Sequence, residues 1–284
     1  MPELPEVETT ARLIRPHLTG REIRGVHVSW VRTLGGQRAA EFRRRVVGTR
    51  IASVGRRAKF VVFELRRGRA AAGVLLCHLR MTGRLVVERP PLEPSPWERV
   101  RLELDRGVLR FLDVRKFGRF THLHDPAPVF EALGPEPLGE QFTAAWLRRA
   151  LRARRRALKP LLLDQTFLAG LGNIYVDEAL FRAGLHPLRR SDRVPPAAAT
   201  RLHGAIREIL AAAIEREGSS FDAFYRTPEG QPGSYQHLFQ VYGRDGEPCR
   251  VCGRILKRIV VSQRGTHFCT RCQPAPRPLS SPRS

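Results

Sequence analysis

Residues 249–272 read CRVCGRILKRIVVSQRGTHFCTRC and hold four of the five cysteines of the chain. Two Cys-x2-Cys pairs put four thiolates on two tight turns, with sixteen residues between the pairs. This spacing is typical of a structural zinc site, and a catalytic zinc is disfavoured because four cysteines leave no open coordination position. The alternative of four unconnected thiols is disfavoured by the same spacing. We predict one structural Zn²⁺ and no organic cofactor. The predicted ligands are Cys249, Cys252, Cys269 and Cys272.

The segment between the two cysteine pairs predicts a two-stranded ribbon, which is too small to fold without the metal. At its tip, residues 263–266 present the cation Arg264 on a turn. Taken alone, Arg264 reads as a solvated surface residue, so its role depends on the rest of the chain.

The whole chain is strongly basic. Its 284 residues include 50 Lys and Arg against 27 Asp and Glu, which gives a formal net charge of +23. Such an excess favours a polyanionic partner, most simply nucleic acid. Six arginines, Arg154 among them, lie within residues 148–156 with no excess of acid to balance them. We therefore interpret this run as a set of phosphate contacts rather than as a solvated face.

An anionic membrane surface is the weaker alternative. The longest apolar stretch, residues 70–77, is far shorter than the roughly 20 residues that span a bilayer. The first eight residues, MPELPEVE, are acidic where a secretory signal would be basic. We therefore expect a cytosolic protein that does not associate with membranes.

The spacing of apolar residues changes along the chain. From Val7 to Leu18 they recur at helical spacing, which predicts an N-terminal amphipathic helix. From about residue 21 to 124 the period is two, which predicts some eight short strands in a β-sandwich or a barrel. Residues 125–141 are rich in Pro and Gly and predict a linker, and helical spacing returns after Thr143, a candidate N-cap.

The segment from Thr166 to Glu178 predicts a helix, a glycine-bearing turn and a second helix capped by Asn173. A helix N-terminus offers free N–H groups that can receive a phosphate. The alternative is an ordinary packing corner, which the surrounding positive charge disfavours. A later helix is expected to end near Gly218, followed by a Gly-, Pro- and Ser-rich loop over residues 218–236.

Two predicted loops each place a bulky side chain beside cations and ahead of a glycine. One runs from His78 through Met81 to Gly83, and the other contains Arg115 and Phe117. Apolar side chains at loop tips can act as wedges that unstack bases, while arginine reaches a base edge. Spacing alone favours the alternative that Met81 and Phe117 belong to the core.

The N-terminus is chemically unusual. Removal of Met1 is expected because the second residue is small, and it leaves Pro2 with a secondary α-amine. An α-amine has a reference pKa near 8, about two units below that of lysine, so a substantial fraction is neutral near pH 7. A neutral amine attacks a sugar or carbonyl carbon to form a Schiff base, and Glu3 is a candidate acid/base group beside it. The alternative is that Pro2 and Glu3 merely begin a helix.

Five groups of residues together resemble bacterial formamidopyrimidine-DNA glycosylases, over residues 1 to about 273. The related endonuclease VIII enzymes share the architecture but typically have Gly where this chain has Leu4, and they lack the Met, Arg and Phe set. The matching groups are Met1–Glu8, Arg57-Ala58-Lys59, Asp113-x-Arg115-x-Phe117-Gly118, Gly170-x-Gly172-Asn173-Ile174-Tyr175, and the four-cysteine segment with Arg264.

The resemblance implies an α+β multidomain fold. Residues 1–135 would form an N-terminal catalytic β-sandwich domain with an N-terminal helix, and residues 142–230 a helical helix-two-turn-helix DNA-binding domain. Residues 237–273 would form a C-terminal four-cysteine zinc-finger ribbon, followed by a disordered tail at 274–284.

The resemblance also implies roles for the catalytic candidates. Pro2 would be the nucleophile at C1′ of the damaged nucleotide, and Glu3 the general acid/base. Lys59, expected on a strand, would take part in β-elimination and phosphate contact. Arg264 would bind phosphate and take part in δ-elimination.

Six further positions would contact DNA. Met81, Arg115 and Phe117 would fill the space left by the extruded base, with Arg115 facing the orphaned cytosine. The loop at 218–236 would cover the flipped lesion. The remaining expected DNA contacts are His78, Arg154 and Asn173.

The implied function is a bifunctional DNA glycosylase and AP lyase of base excision repair. It would excise 8-oxoguanine opposite cytosine and formamidopyrimidines through a Pro2 Schiff base, and nick the strand by β,δ-elimination. Its partner would be double-stranded DNA containing oxidised bases or abasic sites, bound by a monomer in the bacterial cytoplasm. The alternatives are an endonuclease VIII-like enzyme for oxidised pyrimidines and a non-catalytic damaged-DNA binder.

The sequence departs from the family pattern at one DNA-contacting position. Family members often have a histidine shortly before the strand at Val100, whereas this chain reads Ser-Pro-Trp-Glu-Arg over residues 95–99. No DNA contact is therefore assigned there.

Overall fold

The computed structural model describes residues 1–221 and 225–276, which form two compact units. Unit 1 consists of Met1–Ala132 and Ala213–Gln236, and unit 2 of Leu133–Ala212 and His237–Ser284. Most of the predicted disordered tail, residues 277–284, lies outside the described residues, as do residues 222–224 of the predicted lesion loop. No helix in the described ranges is long and apolar enough to cross a membrane.

Strands dominate unit 1, as the period of two predicts. Over residues 1–124, all of them described, eight strands pair antiparallel in two sheets of order β1-β6-β7-β5 and β2-β3-β4-β8. The strands are β1 (Ile23–Val28), β2 (Arg50–Arg57), β3 (Phe60–Arg67), β4 (Ala70–His78), β5 (Gly83–Glu88), β6 (Glu98–Leu104), β7 (Val108–Asp113) and β8 (Arg119–Leu123).

Aromatic side chains join the two sheets. Phe111 on β7 stacks on Phe120 of β8 with ring centroids 5.9 Å apart, and Phe63 on β3 lies 6.0 Å from the same ring. All three are buried in one apolar cluster that both sheets supply. The β-sandwich is therefore confirmed, and the barrel alternative is wrong.

The N-terminal helix, α1 (Leu4–Leu18), covers one side of the sandwich. Its apolar stripe from Val7 to Leu18 is fully buried in the same cluster. The helix begins at a capping box, in which the Glu6 carboxylate accepts a hydrogen bond of 2.8 Å from the Glu3 backbone N–H.

Two helices of unit 1 were not predicted, α2 (Ala39–Val46) and α3 (Ala127–Glu131). The helix α2 (Ala39–Val46) interrupts the strands and buries only Phe42 and Val46, while Arg43, Arg44 and Arg45 are exposed. Two apolar residues four positions apart in a basic segment are too weak a pattern to predict a helix.

Unit 2 is helical with a terminal ribbon. Thr143 caps the first long helix as predicted, because its hydroxyl accepts a hydrogen bond of 3.0 Å from the Trp146 N–H. The ribbon consists of β9 (Lys257–Val261) and β10 (Arg264–Phe268), paired antiparallel. The helices after α2 are α3 (Ala127–Glu131), which lies in the predicted linker, α4 (Ala144–Arg152), α5 (Leu158–Leu163), α6 (Asn173–Ala183) and α7 (Pro196–Glu215).

Candidate functional site

The N-terminal candidates are buried at the start of α1. Pro2 is buried and Glu3 is only 2% exposed. Glu6 connects this end of the helix to the segment after α7, because its Oε1 accepts a hydrogen bond of 2.8 Å from Ser219 N–H. A carboxylate at a helix N-terminus is stabilised in its ionised form by the helix dipole. The site at Pro2 is therefore acidic, enclosed and held by backbone contacts.

Lys59 lies in the turn between β2 and β3, not on a strand as predicted. The preceding residue, Ala58, has a left-handed backbone with φ of 51°, which ends the strand pairing. Arg56 braces this turn by donating to the Ala58 carbonyl at 2.9 Å and to Glu8 of α1 at 2.9 Å. Burial raises the pKa of Glu8, but its hydrogen bonds to Arg12 and Arg56 lower that pKa overall. Lys59 itself is buried, with 6% of its surface exposed.

His78 lies at the same end of the sheet as Lys59, since Phe60 pairs with His78 across β3 and β4. Burial first, then the charges of Arg80 and Lys59, lower the pKa of His78 to about 3. Its Nδ1 accepts a hydrogen bond of 3.1 Å from the Arg80 N–H, which assigns the ring proton to Nε2. His78 is thus a neutral hydrogen-bond donor near pH 7, suited to a phosphate oxygen.

The two predicted insertion loops meet at the buried carboxylate of Asp113. Asp113 accepts hydrogen bonds from the Thr82 hydroxyl and, at 2.7 Å, from the Gly118 N–H. The Thr82 oxygen in turn accepts a bond of 3.1 Å from Arg115 N–H. Because Thr82 follows Met81 directly, one carboxylate orders both loops.

The tips of these loops are not part of the core. Phe117 is 49% exposed, Met81 is half-buried and Arg115 is exposed. The Arg115 guanidinium carbon lies 4.8 Å from the centroid of the Phe117 ring. The core alternative is therefore wrong for Phe117, and Met81 is only partly buried.

Sequence reasoning missed two residues that brace this arrangement, Arg99 on β6 and Trp97 just before it. Arg99 is buried and donates a hydrogen bond of 2.8 Å to the Asp113 carbonyl. The Trp97 carbonyl accepts a bond of 2.8 Å from the Asp113 N–H, while the Trp97 side chain is 46% exposed. Both belong to the segment that departs from the family pattern. A buried arginine in an Arg-rich chain gives no sequence signal.

In unit 2, Asn173 contacts the ribbon. Gly172, not Asn173, is the N-cap of α6, and Asn173 is the first helical residue. Its side chain does not cap the helix, because Nδ2 donates a hydrogen bond of 3.0 Å to the Gly265 carbonyl. The prediction that Asn173 caps this helix is therefore wrong by one position.

A buried ion pair strengthens the same attachment. Lys159 Nζ lies 2.7 Å from Asp177 Oδ1, and both side chains are at most 1% exposed. Lys159 also donates to the Gly265 carbonyl at 2.9 Å, while Asp177 accepts from His267 N–H at 2.9 Å. Neither residue was singled out from the sequence, because nothing in the local pattern distinguishes a buried charge from an exposed one.

Two cations of unit 2 have the exposure that a phosphate contact requires. Arg264 is exposed and begins β10, directly after a turn in which Ser262 and Gln263 have φ of 47° and 60°. Arg154 is exposed and lies over the Phe167 ring at 5.0 Å. The arginine run is not wholly without acid, because Arg156 pairs with Asp164 at 2.7 Å.

The four cysteine sulfurs fit one tetrahedral zinc ion. They lie within 4.8 Å of one another, and the Sγ–Sγ distances are 3.9 Å for Cys249–Cys272 and 3.4 Å for Cys252–Cys269. Zn–S bonds of about 2.3 Å in a tetrahedron imply sulfur separations of about 3.8 Å. A backbone hydrogen bond from Arg254 is the main cause that lowers the pKa of Cys252 to about 7, whereas burial raises the pKa of Cys269 and of Cys272. Cys249 and Cys269 also pack with Phe181, Val241 and Leu256, so metal and core stabilise the same ribbon.

Together, a β-sandwich with two loops ordered by Asp113, a helical unit and a four-cysteine ribbon define a zinc-finger DNA glycosylase. Three family models match the chain. They are the formamidopyrimidine-DNA glycosylase N-terminal domain over residues 1–120, the H2TH domain of the same enzymes over 133–224, and the zinc finger found in FPG and IleRS over 246–275.

Individual relatives agree with these models. A formamidopyrimidine-DNA glycosylase of Symbiobacterium thermophilum is 43% identical and covers 100% of this chain and 93% of its own length. The crystal structure of the MutM (Fpg) protein from Thermus thermophilus is 44% identical, with a TM-score of 0.85 over 96% of this chain and 98% of its own. The Lactococcus lactis Fpg in complex with DNA containing N7-benzyl-Fapy-dG is 35% identical, with a TM-score of 0.88 over 96% of this chain and 100% of its own.

The chain belongs to the formamidopyrimidine-DNA glycosylase family. It is a DNA glycosylase of base excision repair with a C-terminal zinc finger, and the predicted structural zinc is confirmed.

Proposed function

We propose that this glycosylase excises oxidised purines, namely 8-oxoguanine opposite cytosine and formamidopyrimidines, and then cleaves the strand at the resulting abasic site. The observation that carries the proposal is the Pro2-Glu3 start of α1, buried beside the Glu6 carboxylate. Family membership supports the same reaction, and a relative was crystallised on DNA containing a formamidopyrimidine.

The proposed chemistry begins with extrusion of the damaged nucleotide, since its sugar is inaccessible inside a duplex. The neutral Pro2 nitrogen attacks C1′ as the bond to the base breaks, and the base departs with a proton from an acid group, for which Glu3 is the candidate. The Pro2 nitrogen then gives its N–H proton to the Glu3 carboxylate, O4′ takes a proton as the C1′–O4′ bond breaks, and the nitrogen lone pair forms an iminium with C1′.

The iminium acidifies the C2′ proton. Removal of that proton expels the 3′ phosphate in β-elimination, and a second elimination expels the 5′ phosphate. Lys59 and Arg264 are the proposed partners of these phosphates, because both are cations at positions that match the pattern of the family. Water finally hydrolyses the imine and regenerates the amine of Pro2.

We propose that the insertion loops select purine lesions. The exposed Phe117 and half-buried Met81 would enter the base stack, and Arg115 would hydrogen-bond the cytosine left without a partner. His78, Arg154 and Asn173 would contact the DNA backbone. The described part of the 218–236 loop would cover the extruded base.

Borohydride trapping tests the proposed nucleophile. Protein that has lost Met1 is incubated with an 8-oxoguanine:cytosine duplex and borohydride. A covalent protein–DNA adduct is expected, and peptide mapping should place the attached DNA on Pro2. The variant Glu3→Gln should lose adduct formation on 8-oxoguanine but keep it on a preformed abasic site. Absence of any adduct from processed protein would refute the proposal.

Two further measurements separate the alternatives. Faster excision of thymine glycol than of 8-oxoguanine would favour the endonuclease VIII-like enzyme. Retention of Met1 in the intact mass of native protein would block the amine and favour a non-catalytic binder.

We also propose that the protein acts as a monomer on double-stranded DNA in the bacterial cytoplasm, with domains at 1–135, 142–230 and 237–273. Light scattering during size exclusion, with and without a lesion duplex, tests the monomer.

A further inference from the structure

A cationic cavity in unit 1 is not used by the proposed reaction. It has a volume of about 320 Å³. We call it the distal pocket. Its lining consists of Arg44, Arg45, Arg67, Ala72, His122 and His124.

The distal pocket is at the opposite end of the sheet from Lys59 and His78. On β3, Phe60 pairs with His78, while Arg67, at the other end of the strand, pairs with Ala70. Eight residues of strand at roughly 3.3 Å each put the two ends about 23 Å apart. The pocket is therefore separate from the surface that carries the predicted catalytic residues of unit 1.

The walls of the distal pocket are three guanidinium groups, two of which are held by contacts within the protein. Arg67 donates hydrogen bonds to the Val47 carbonyl at 2.8 Å and to the Arg45 carbonyl at 3.4 Å. Arg45 pairs with Glu41 at 2.5 Å. Arg44 has no charged partner among residues 1–221 and 225–276. Positive charge is thus concentrated here with one carboxylate to offset it.

The floor of the distal pocket is His122, which is 3% exposed. Its Nε2 donates to the Ala72 carbonyl at 2.8 Å, and its backbone N–H donates to Gln37 Oε1 at 3.0 Å. Its Nδ1 has no hydrogen-bond partner within the described ranges. Burial is the main cause that lowers the pKa of His122, so the ring itself adds no charge near pH 7. The nearby carboxylate of Asp125 is turned to the Ala127 N–H at 2.8 Å.

We propose that the distal pocket binds a phosphate group. Arginine forks match phosphate oxygens in bidentate geometry, and three of them here come from two separate elements, so the site is built in three dimensions rather than along one face. The volume lies at the lower limit of ligand pockets, which suits a single phosphate with a small substituent. The phosphate comes either from the backbone of a second DNA segment or from a free phosphate or nucleotide.

Calorimetric titration tests this site. The full-length, zinc-loaded protein is titrated with inorganic phosphate and the heat of binding is measured. Saturable binding is expected, and the variant Arg44→Gln with Arg67→Gln should weaken it at least tenfold. The matched control is Arg24→Gln with Arg106→Gln, which removes the same charge from exposed positions outside the pocket. An equal effect in both variants, or no saturable binding, would overturn the proposal.

If the first variant is destabilised through the lost Arg67 bonds, Arg44→Gln alone tests the pocket without touching them, and Arg24→Gln alone is its matched control. The two sources of phosphate are then separated. Protein already trapped on a lesion duplex is titrated with a second undamaged duplex and with a nucleoside monophosphate. Pocket-dependent binding of the duplex assigns DNA as the source, and pocket-dependent binding of the monophosphate assigns a nucleotide.

Lesion excision should be unchanged in the pocket variants. Phosphate binding without any excision would therefore count against the proposed function and not against the distal pocket.

Discussion

Two buried aspartates, one in each unit, hold loops that carry predicted site residues, and their partners differ in charge. Asp113 in unit 1 accepts hydrogen bonds from the Thr82 hydroxyl and the Gly118 N–H, which are neutral donors. Asp177 in unit 2 pairs with the Lys159 ammonium and accepts from the His267 N–H. Each carboxylate is 1% exposed.

The difference follows from what surrounds each aspartate. The insertion loops of unit 1 extend from strands whose apolar side chains fill a sandwich core. Among the described residues, the ribbon of unit 2 contacts a small apolar cluster around its cysteines. A ribbon without a large core needs strong polar ties, and a metal with a buried ion pair supplies them. The loops of unit 1 are thus positioned mainly by packing, and the ribbon of unit 2 mainly by the buried ion pair and the metal.

Removal of the metal should have the largest effect, and this effect should be confined to unit 2. Structural zinc contributes about 10–16 kcal/mol in zinc-finger peptides, so Cys252→Ser should unfold β9 and β10 while the sandwich stays folded. Hydrogen exchange resolved by segment measures both regions at once. The control, Cys77→Ala, removes the buried core thiol and should retain one zinc per chain. Unchanged protection of the ribbon in Cys252→Ser would contradict this reading.

Loss of the ion pair should have the next largest effect. Lys159→Met removes the lysine partner of the buried Asp177 and leaves His267 as its contact, and the loss of one partner of a buried ion pair costs about 3–5 kcal/mol in the free energy of unfolding. Urea denaturation measures the change. The double variant Lys159→Met with Asp177→Asn should recover part of the loss, since no buried charge remains. A double variant as unstable as the sum of both single variants would exclude the ion pair as the cause.

The neutral arrangement in unit 1 should be less sensitive. Asp113→Ala leaves the Gly118 N–H and the Thr82 hydroxyl without their acceptor, which costs about 1–3 kcal/mol for the buried groups. Single-turnover excision of 8-oxoguanine should fall more than stability does, because the tips at Met81 and Phe117 lose their order. Thr82→Ser keeps the hydroxyl and serves as the matched control. Full activity of Asp113→Ala would show that the Asp113 carboxylate is not needed to order the two loops.

The smallest expected effect is on the pH dependence of stability. It is tested by comparing two histidines, one in each unit, that make the same local hydrogen bond. His78 Nδ1 accepts from the N–H of Arg80, and His186 Nδ1 in unit 2 accepts from that of Leu188. Burial is the main cause that lowers both pKa values, to about 3 for His78. A pKa below the unfolded value of about 6.5 gives stability that is present above pH 6.5 and lost as the pH falls.

Urea denaturation at pH 7 and pH 5 tests this pair. His78→Gln should reduce the loss of stability between the two pH values by up to about 2 kcal/mol, because it removes a group that takes a proton only on unfolding. His186→Gln should reduce it less. The same pH dependence in His78→Gln as in the unchanged protein would show that His78 is not held neutral.

The sequence predicts those features that repeat or have fixed spacing. Alternating apolar residues predict the strands, a single hydroxyl at Thr143 predicts a helix start, and two cysteine pairs predict the metal. Such patterns are local, so no knowledge of the rest of the chain is needed.

What the sequence did not predict depends on contacts between distant residues. The Lys159–Asp177 pair joins positions 18 apart, and both bond to a ribbon about 90 residues or more further on. Arg99 is one of many arginines until it is seen beside the Asp113 carbonyl. The placement of Lys59 in a turn rather than on β3 depends on the left-handed backbone of Ala58, which non-glycine residues adopt uncommonly. Burial and long-range pairing are properties of the fold and leave no local periodicity.

The Gly265 carbonyl accepts hydrogen bonds from both Lys159 and Asn173, and Asp113 holds its loop through the Gly118 N–H. In both loops the fastening uses main-chain atoms of neighbouring residues, not the side chains at Arg264 and Phe117. The backbone at both positions therefore stays in place whatever side chain they carry. Phe117 is the tip proposed to select the lesion, so a library at Phe117 could be screened for new lesion preferences without compensating changes in the scaffold, while Arg264 keeps its proposed phosphate contact.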